Sequence, residues 1–447
     1  MAAYQLISHS KRDQVFAYRA GLPVSVAQFL GEVESLARAL PDRCHILNLC
    51  ADRYRFAVGF SAALLRRQTS LLPPNYTPSF VARLRQSFPD MYCLADGEVQ
   101  LPDIEVMQYP QVPVKDDTVI PSVPAIPGAQ CAALVFTSGS TGHPVAHPKS
   151  WGSLCKGAVA EAASLNIMRD SGMAVLGTVP AQHMYGLESS MLIAMQNGLA
   201  LVAERPFYPA DICAQLAALP QPRCLVTTPI HLRSLLSESR HLPAVTFVLC
   251  ATAPLAPQLA SEAEAHFDAP LYEIYGYTEA GMVASRRTTT GAAWHLLAGV
   301  ELVQDENGSH MVGGHVEIEA PLSDVIAGNP DGTFTLHGRS ADIVNIAGKR
   351  SSLSSLNYHL NEIPGVRDGV FFMPDDSDGA TRRPLAFVVA PGLRGEDILG
   401  ALRHSVDAVF LPRPLYFVAA LPRDSSGKLT RAALTQLLER CAKKCSN

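Results

Sequence analysis

The sequence predicts an α/β fold of layered sheets and helices, with a smaller α+β unit at its carboxyl end. From Cys131 onward, short apolar strands alternate with helical stretches, which is typical of parallel sheets with helical crossovers. After Arg287 the pattern changes to strands joined by turns, and from Arg339 strands and helices mix in a compact segment. The length of 447 residues suits about three units of roughly 150 residues. We therefore predict a large N-terminal domain over 1–338 and a small C-terminal domain over 339–447.

The region before this alternation mixes helical and strand patterns. Apolar residues recur at helical spacing in QFLGEVESLARAL and RFAVGFSAALLRR, and CHILNLC between them is typical of a buried strand. The proline-rich run YPQVPVKDDTVIPSVPAIPG predicts an extended connector.

The alternating region and the C-terminal unit supply the remaining elements. The predicted strands of the alternating region are AALVF, GMAVLGTVP, LALVAE, CLVTT, VTFVLCA and PLYEIYG, and its clearest helices are PIHLRSLLSES and PQLASEAEAHF. The segments HMVGGHVEIEAP and GTFTLHG predict turn-linked strands. In the C-terminal unit we expect the strands ADIVNIAG, GVFFMP, PLAFVVAP and RPLYFVAALP and the helices SSLNYHLNEI, GEDILGALRHSVDAVF and RAALTQLLER.

Composition and charge exclude several classes of protein. Hydrophobic residues make up 48% of the chain and charged residues 17%, so the chain is not disordered. The net charge of −5 gives no basic field for nucleic acid. The 10 cysteines form no C-x-x-C pair, which fits a reducing compartment. No signal peptide and no apolar run of about 18 residues is evident, so we expect a cytoplasmic protein without a membrane span.

The strongest local signal for chemistry is a loop rich in glycine, serine and threonine. It directly follows the strand AALVF and consists of Thr137, Ser138, Gly139, Ser140, Thr141 and Gly142. The backbone amides and hydroxyls of such a loop can surround phosphate oxygens, although Ser/Thr/Gly clusters are more often plain surface loops. The spacing does not fit G-x-x-x-x-G-K-[ST], which disfavours an ordinary P-loop nucleoside triphosphatase.

Three further motifs follow in chain order. The segment YGYTE places Glu279 beside the hydroxyl of Thr278, a pairing suited to Mg²⁺ and phosphate. The segment GRSADIVNIAGKR carries Arg339, whose planar fork can bind sugar hydroxyls or phosphate. The segment PRDSSGKLTR presents Lys428 on a glycine-bearing loop. Taken alone, YGYTE is better explained as a strand end with a solvated glutamate. The second segment could equally be a charged inter-domain hinge, and the third a solvated C-terminal loop, as most Ser/Gly/Lys segments are.

Together, the four motifs resemble the adenylate-forming superfamily of acyl- and aryl-CoA synthetases, luciferases and nonribosomal peptide adenylation domains. The agreement runs in order from Leu134 to Arg431, about two-thirds of the chain. The resemblance implies a large domain followed by a small mobile one. It also implies a reaction in which a carboxylate attacks the α-phosphate of ATP, pyrophosphate leaves, and a thiol captures the acyl-adenylate. The cofactors would be ATP and Mg²⁺, and the acceptor coenzyme A or a phosphopantetheinylated acyl carrier protein.

The resemblance assigns the phosphates and the metal. The β- and γ-phosphates would lie in the loop from Thr137 to Gly142. Thr278 would bond the α-phosphate and Glu279 would hold Mg²⁺.

The same resemblance assigns the adenosine contacts. Tyr275, which precedes Gly276, would stack on adenine, and Asp324 and Arg339 would reach the ribose. On the adenine side, Ala251-Thr252 stands where the family usually has two glycines. The extra side-chain volume there would narrow the acyl pocket and favour a small aromatic acid such as a hydroxybenzoate or a cinnamate.

Three more residues take roles by resemblance. Lys428 would bridge the carboxylate and the α-phosphate, Asp342 would be the hinge of the small domain, and His183 would be the histidine on the substrate side.

The chain departs from the family at two lysines. Val145 stands where the phosphate loop usually ends in lysine, so either Lys149 takes that role or the loop dispenses with it. Asn345 stands where the family has the lysine of the second step, with Lys349 nearby. The chain also resembles the compact ligases of aryl-polyene and xanthomonadin-type pigment pathways, which load an aromatic acid onto a carrier protein.

Several hypotheses remain open from the sequence. The adenylate could pass to an amine or another non-thiol acceptor, or the chain could be a non-catalytic nucleotide-binding member of the fold. An acidic carrier protein would need a basic patch, and the candidate residues serve equally well as solubilising charges: Arg382, Arg383, Arg394, Arg403 and Arg413. We expect a small carboxylic acid as substrate and no nucleic-acid partner.

Overall fold

The fold is described from a computed structural model of the chain. The structure describes residues 2–73, 76–101, 103–110, 122–138, 144–238, 242–306, 308–339, 343–346, 349–374, 383–424 and 427–445. Within these ranges, none of the helices has the length and apolar character needed to cross a membrane. The nine cysteines whose side chains are described are all free thiols.

Six of the strands in the N-terminal region form a sheet with helices on both faces. The elements of the whole region, in chain order, are β1 (Ala3–Gln5), β2 (Val15–Arg19), β3 (Leu22–Ser25), α1 (Val26–Ala39), β4 (His45–Asn48), α2 (Arg53–Leu65), β5 (Thr69–Leu72), α3 (Pro78–Ser87), β6 (Tyr92–Ala95), β7 (Val106–Gln108), β8 (Ala125–Pro127), β9 (Cys131–Ser138) and β10 (Pro144–Ser150). The strand order is β10-β9-β5-β4-β6-β7, parallel except for β10. Helix α1 begins at a capping box, in which Ser25 and Gln28 each bond the other's backbone amide.

A nine-stranded sheet follows. Its elements are α4 (Trp151–Ser164), β11 (Ala174–Gly177), α5 (Met184–Gly186), a π-helix (Leu187–Leu192), α6 (Ile193–Asn197), β12 (Ala200–Val202), α7 (Pro209–Ala218), β13 (Arg223–Thr227), α8 (Pro229–Glu238), β14 (Phe247–Cys250), α9 (Pro257–Phe267), β15 (Leu271–Tyr277), β16 (Gly281–Arg286) and β17 (His295–Leu296). The order is β17-β16-β15-β14-β13-β11-β12-β2-β3, with the six strands from β15 to β2 parallel. The predicted parallel α/β sheet is therefore confirmed.

The two sheets share one apolar core. Residues on one face of the nine-stranded sheet, such as Val175 and Val226, pack with α2, α4 and the six-stranded sheet. Their sequence neighbours Leu176 and Leu225 point to the opposite face and pack with α7, α8 and α9, as the alternation of side chains along a strand requires. The layers therefore alternate helix, sheet, helix, sheet, helix, which confirms the predicted layering.

Turn-linked strands connect this body to the C-terminal unit. They are β18 (Val300–Asp305), β19 (Gly308–Gly313), β20 (Val316–Pro321), β21 (Asp324–Gly328) and β22 (Phe334–Arg339). The C-terminal elements are β23 (Ile343–Ile346), β24 (Lys349–Ser352), α10 (Leu353–Asn361), β25 (Asp368–Phe372), β26 (Leu385–Val389), α11 (Gly395–Leu402), a 3₁₀ turn (Ala408–Phe410), β27 (Leu415–Phe417) and α12 (Arg431–Cys445). Two apolar clusters in this unit contain only residues from Val344 onward. The domain boundary at 338/339 stays a prediction.

Two predicted C-terminal elements are shorter than expected. The helix expected over GEDILGALRHSVDAVF ends at Leu402, and a separate 3₁₀ turn follows. The side chain of Asp407 accepts a hydrogen bond from the backbone amide of Val409 and caps that turn. Short polar side chains favour caps and turns over helix interiors, because they hydrogen-bond nearby backbone groups. The strand expected over RPLYFVAALP is reduced to Leu415–Phe417.

Candidate active site

Four neighbouring parallel strands end at the same edge of the nine-stranded sheet. Strands β11, β13, β14 and β15 are hydrogen-bonded in that order. In open α/β sheets, ligands bind in the crevice outside such carboxyl ends. The segments that follow these strands carry His183, Thr228, Thr252 and Glu279. The fold therefore gathers at one edge residues that are far apart in sequence.

The three residues predicted to contact adenosine lie together. Tyr275 donates from its hydroxyl to Oδ2 of Asp324 at 2.5 Å. Asp324 is directly opposite Arg339 in the β21–β22 register, and opposed residues of an antiparallel pair have Cα atoms about 4.5–5.5 Å apart. The ring of Tyr275 packs against Trp294 and Phe334, with centroids 5.6 and 5.7 Å away. These two aromatic residues, which the sequence did not single out, fix the orientation of the Tyr275 ring.

Thr278 and Glu279 occupy the turn between β15 and β16. At Gly276, a Cβ would lie 2.5 Å from the carbonyl oxygen of Gly281, so the tight approach of the two strands admits only glycine. The Glu279 side chain is 36% exposed, and its Oε1 lies 3.8 Å from Nε2 of His147. The turn is therefore tightly held by its backbone while the Glu279 carboxylate stays accessible.

The glycine-rich loop joins β9 to β10. Thr137 pairs with Val145 and Ser138 with Pro144 in the antiparallel register. Gly139, Ser140, Thr141 and Gly142 lie outside the described residues. The structure therefore fixes the two strands that the loop connects, and the loop begins at the carboxyl end of β9.

Lys149 sits at the other end of β10. Its Nζ donates to the backbone carbonyl of Glu279 at 2.6 Å, and the residue is only 5% exposed. Burial lowers the pKa of the Lys149 ammonium, while Glu188, Glu279 and Glu317 oppose this. The structure thus ties the end of β10 to the Thr278–Glu279 turn through Lys149.

Lys428 lies close enough to His183 to alter its ionisation. Burial first, and the Lys428 ammonium second, lower the pKa of His183 to about 4, with Asp424 opposing. His183 is therefore neutral near pH 7. The backbone amide of Lys428 donates to Oδ1 of Asp424 at 2.9 Å, which closes the loop that carries the lysine. The predicted hinge residue, Asp342, lies outside the described residues.

Helix α8 provides the surface against which this loop packs. Gly427 has φ of +81°, and a Cβ there would lie 3.2 Å from Cγ2 of Ile230. One turn along the helix, Nη1 of Arg233 donates to Oδ1 of Asn361 at 3.2 Å and to the carbonyl of Arg367 at 2.5 Å. These contacts hold the C-terminal unit, with the loop that carries Lys428, against α8.

The segment Ala251-Thr252 follows β14 directly. Ala251 is 8% exposed, and Thr252 has φ of +81°. This is the left-handed region, in which a β-branched residue is strained. A threonine therefore occupies a backbone conformation that favours glycine.

Sequence reasoning missed two buried residues that shape this edge. Tyr185 donates from its hydroxyl to the carbonyls of Thr227 and Leu249 at 3.1 and 2.9 Å. The guanidinium of Arg53 donates to four backbone carbonyls, those of Gly177, Val179, Val202 and Glu204. No motif marks either residue, because their partners are main-chain atoms brought close only by the fold.

Comparison with known proteins places this chain in a family. The family model for AMP-binding enzymes matches residues 79–316. Over 305 residues the chain is 28% identical to a 4-coumarate–CoA ligase of Rhodobacter capsulatus, which covers 67% of this chain and 75% of that protein. Over 393 residues it is 25% identical to a 2-succinylbenzoate–CoA ligase of Bacillus cereus, covering 78% and 79%.

Solved structures share the fold over nearly the whole chain. The o-succinylbenzoate CoA synthetase of Bacillus subtilis, in complex with ATP and magnesium ion, has a TM-score of 0.80 at 17% identity and covers 95% of this chain and 97% of its own. An anthranilate CoA ligase in complex with anthranoyl-AMP has a TM-score of 0.79 at 14% identity, covering 100% and 98%. Because the family model spans more than half of the sequence, this protein is a member of the AMP-binding enzyme family.

Proposed function

We propose that this protein is an AMP-forming acid–thiol ligase. It joins a small aromatic carboxylic acid to ATP, releases pyrophosphate, and transfers the acyl group from acyl-AMP to a phosphopantetheine thiol. The observation that carries the proposal is the packing of the loop that carries Lys428 at the carboxyl ends of the parallel strands, where a Cβ on Gly427 would lie 3.6 Å from Oγ1 of Thr228. The residues that we assign to the acid and to the adenosine thus belong to segments at one edge of the sheet.

The first step needs charge neutralisation at the α-phosphate. A carboxylate oxygen of the acid attacks the α-phosphorus, and the bond from that phosphorus to the bridging oxygen of the β-phosphate breaks, so pyrophosphate leaves with the electron pair. Lys428 bridges the two anionic groups, and Thr278 donates to the α-phosphate. A neutral imidazole at His183 borders the acid without repelling Lys428. Fixed donors aimed at developing charge are the usual main source of such catalysis.

The nucleotide is held on both sides of this centre. Tyr275, oriented by Trp294 and Phe334, stacks on adenine. Asp324, which accepts from the Tyr275 hydroxyl, binds the ribose together with Arg339. The loop from Thr137 to Gly142 takes the β- and γ-phosphates.

Glu279 suits Mg²⁺ by its chemistry and its exposure. Mg²⁺ is commonly held by one or two carboxylates together with substrate phosphates. The Glu279 carboxylate is partly exposed, while its backbone carbonyl is fixed by Lys149. When bound, the ion would neutralise phosphate charge.

The relatives favour an aromatic acid. Those compared above are ligases of 4-coumarate, 2-succinylbenzoate and anthranilate by name. Side-chain volume at Ala251 and Thr252 narrows the acyl pocket relative to two glycines, which favours a small ring over a long chain.

The acceptor is a thiol at the end of a phosphopantetheine arm. The relatives' names indicate coenzyme A. A carrier protein presents the same arm, and Arg383, Arg394, Arg403 and Arg413 of the C-terminal unit are exposed and could face an acidic carrier. Rotation about Asp342 would admit the thiol after Lys428 has served the first step.

Pyrophosphate release tests the proposal directly. The purified chain is incubated with ATP, Mg²⁺ and one acid at a time: 4-hydroxybenzoate, 3-hydroxybenzoate, 4-coumarate, an amino acid or a medium-chain fatty acid. We expect release with an aryl acid and a loss of about 10²–10³-fold in Lys428→Ala, by analogy with removal of an oxyanion donor. Lys11→Ala, at an exposed site, should match the wild type. Release with the fatty acid alone would overturn the substrate class.

The acceptor is then tested separately. Coenzyme A, a phosphopantetheinylated carrier protein and a simple amine are offered to the adenylate, and the acylated product is weighed by mass spectrometry. Acylation of the amine alone would contradict a thiol ligase. ATP binding without pyrophosphate release from any acid would favour a non-catalytic member of the family.

A further inference from the structure

We propose that Lys149 is a positioning residue that fixes the backbone of the Thr278–Glu279 turn, rather than a ligand of the ATP phosphates. The proposal deepens the proposed function and rests on the role given there to Glu279. It assigns a use to a buried lysine that the family's phosphate-loop pattern does not explain.

The position of Lys149 along β10 separates it from the end of the strand that follows the phosphate loop. It stands five residues beyond Pro144, the first residue of β10, and pairs with Ala133 rather than with the loop end of β9. Five residues of strand span about 16 Å. Side chains of a strand stand roughly perpendicular to it, so the four-carbon stem of a lysine does not bridge this distance.

The ammonium instead has a defined backbone partner. Its Nζ lies 2.6 Å from the carbonyl oxygen of Glu279, and the side chain is almost fully buried. A hydrogen bond from a charged donor contributes more than a neutral one. Because β10 belongs to the six-stranded sheet and Glu279 follows the last parallel strand of the nine-stranded sheet, this bond joins the two sheets at the turn.

A buried carboxylate approaches the same turn from the π-helix. Glu188 is 5% exposed, and burial raises the pKa of its carboxyl group to about 7, while the Lys149 ammonium opposes that rise. A Cβ on Gly281 would lie 2.6 Å from Oε1 of Glu188, so the carboxyl group packs closely against the backbone at Gly281. The turn is therefore held at Glu279 by the Lys149 ammonium and at Gly281 by the Glu188 carboxyl group.

This arrangement fixes the Glu279 backbone and leaves its carboxylate accessible. Removing a residue that orients a metal ligand typically lowers metal affinity or activity by about 10–100-fold. A buried ion pair also loses stability when one member is removed, so the test must separate a positioning role from a merely structural one.

A cavity beside Lys149 makes that separation possible. Its volume is about 220 Å³, and Lys149, Ser150, Glu279 and His315 are among the residues that line it. Lys149→Ala would enlarge it by the volume of the lysine stem. A small alkylammonium ion such as ethylammonium could then place its charge beside the Glu279 carbonyl.

The experiment compares the full-length wild type with Lys149→Ala, Glu188→Gln, the double variant, and Lys156→Ala, an exposed lysine on α4, as the matched control. ATP affinity with Mg²⁺ is measured by calorimetry, pyrophosphate release with the best acid is measured at saturating ATP, and each melting temperature is recorded. We expect Lys149→Ala to lose 10–100-fold in both affinity and rate. Ethylammonium should restore at least ten-fold, whereas ethanol and sodium at equal concentration should not. The double variant should be no worse than the poorer single variant, because the two charges act as one unit.

The possible outcomes are distinct. Unchanged affinity and rate in Lys149→Ala would overturn the proposal, and so would a loss that ethylammonium does not restore and that tracks the fall in melting temperature. A wild type that releases no pyrophosphate with any acid would count against the proposed function alone. In that case ATP affinity and its rescue by ethylammonium would still decide the role of Lys149.

Discussion

Replacing Arg53 by methionine should destabilise the protein strongly, although Arg53 belongs to no motif. The residue is 1% exposed. Its Nη1 donates to the carbonyls of Val202 and Glu204 at 2.9 and 3.0 Å, and its Nη2 to those of Gly177 and Val179 at 2.8 Å each. One guanidinium thus satisfies the carbonyls at the carboxyl ends of two neighbouring strands, β11 and β12, and β11 leads into the segment that carries His183.

The magnitude follows from what methionine leaves behind. It keeps the apolar stem and removes all donors, so four carbonyls lose their partner. Each unpaired carbonyl costs about 1–3 kcal/mol of stability if no water replaces the lost donor. Methionine also removes the desolvation cost of the buried charge, which offsets several kcal/mol of that loss. We expect a net loss of about 3–5 kcal/mol. For a cooperative unit of about 300 residues, with an unfolding entropy of about 2.1 cal/mol/K per residue, this lowers the melting temperature by about 5–8 °C.

Thermal unfolding followed by near-ultraviolet circular dichroism is the assay. The matched control is Arg66→Met at the end of the same helix, where Arg66 pairs with a fully exposed Asp42 at 3.1 Å. Such a surface pair contributes at most about 1 kcal/mol, so the control should melt within about 2 °C of the wild type. If Arg53→Met melts as high as this control, the four carbonyls do not depend on the guanidinium and the reasoning is wrong.

Three further predictions concern the sheet edge. Thr252→Gly should leave stability unchanged or raise it by up to about 1.5 kcal/mol, since relief of left-handed strain worth about 1–2 kcal/mol exceeds glycine's entropy cost of about 0.5–1 kcal/mol. It should also raise kcat/KM for a bulkier aryl acid about ten-fold, and clear destabilisation would refute it. For His183, the stability contributed by a neutral imidazole is complete above pH 6.5 and is lost as the pH falls toward its folded pKa of about 4. From pH 7.5 to 5.5 the wild type should therefore lose about 1.3 kcal/mol more than His183→Asn. The matched control is His404→Asn, at an exposed site, measured in the same pH series of melts. Arg233→Ala removes two contacts to the C-terminal unit and should slow pyrophosphate release about ten-fold, because Lys428 is then docked less often, and Arg233→Lys should fall between. An unchanged rate would show that these contacts do not hold Lys428.

Much of the fold could be predicted because its signals are local. Apolar strands such as CLVTT and VTFVLCA are short and continuous, as expected for parallel strands buried on both faces, and they became β13 and β14. The prediction extended the helix after Gly395 too far, because the break after Leu402 and the separate turn capped by Asp407 have no strong periodic signature.

The candidate site was predictable only in part. Tyr275, Asp324 and Arg339 were predicted to share adenosine, and the structure brings them together, although their roles stay predictions. Lys149 was considered for the phosphate loop on sequence proximity alone. Proximity along a strand is a poor guide to reach, because each residue adds about 3.3 Å along one direction.

Local sequence patterns were enough to predict the layered α/β class, the order of the motifs and the chemistry that their residue types permit. These features depend on composition and short-range pattern, which a chain displays before it folds. The contact partners of individual side chains came from the tertiary structure. It placed the Lys149 ammonium on the Glu279 carbonyl, Arg53 on four carbonyls, and Gly427 of the Lys428 loop against Ile230 of α8. Such contacts join residues more than a hundred positions apart, and their energies come from burial and from main-chain acceptors that no side-chain pattern encodes.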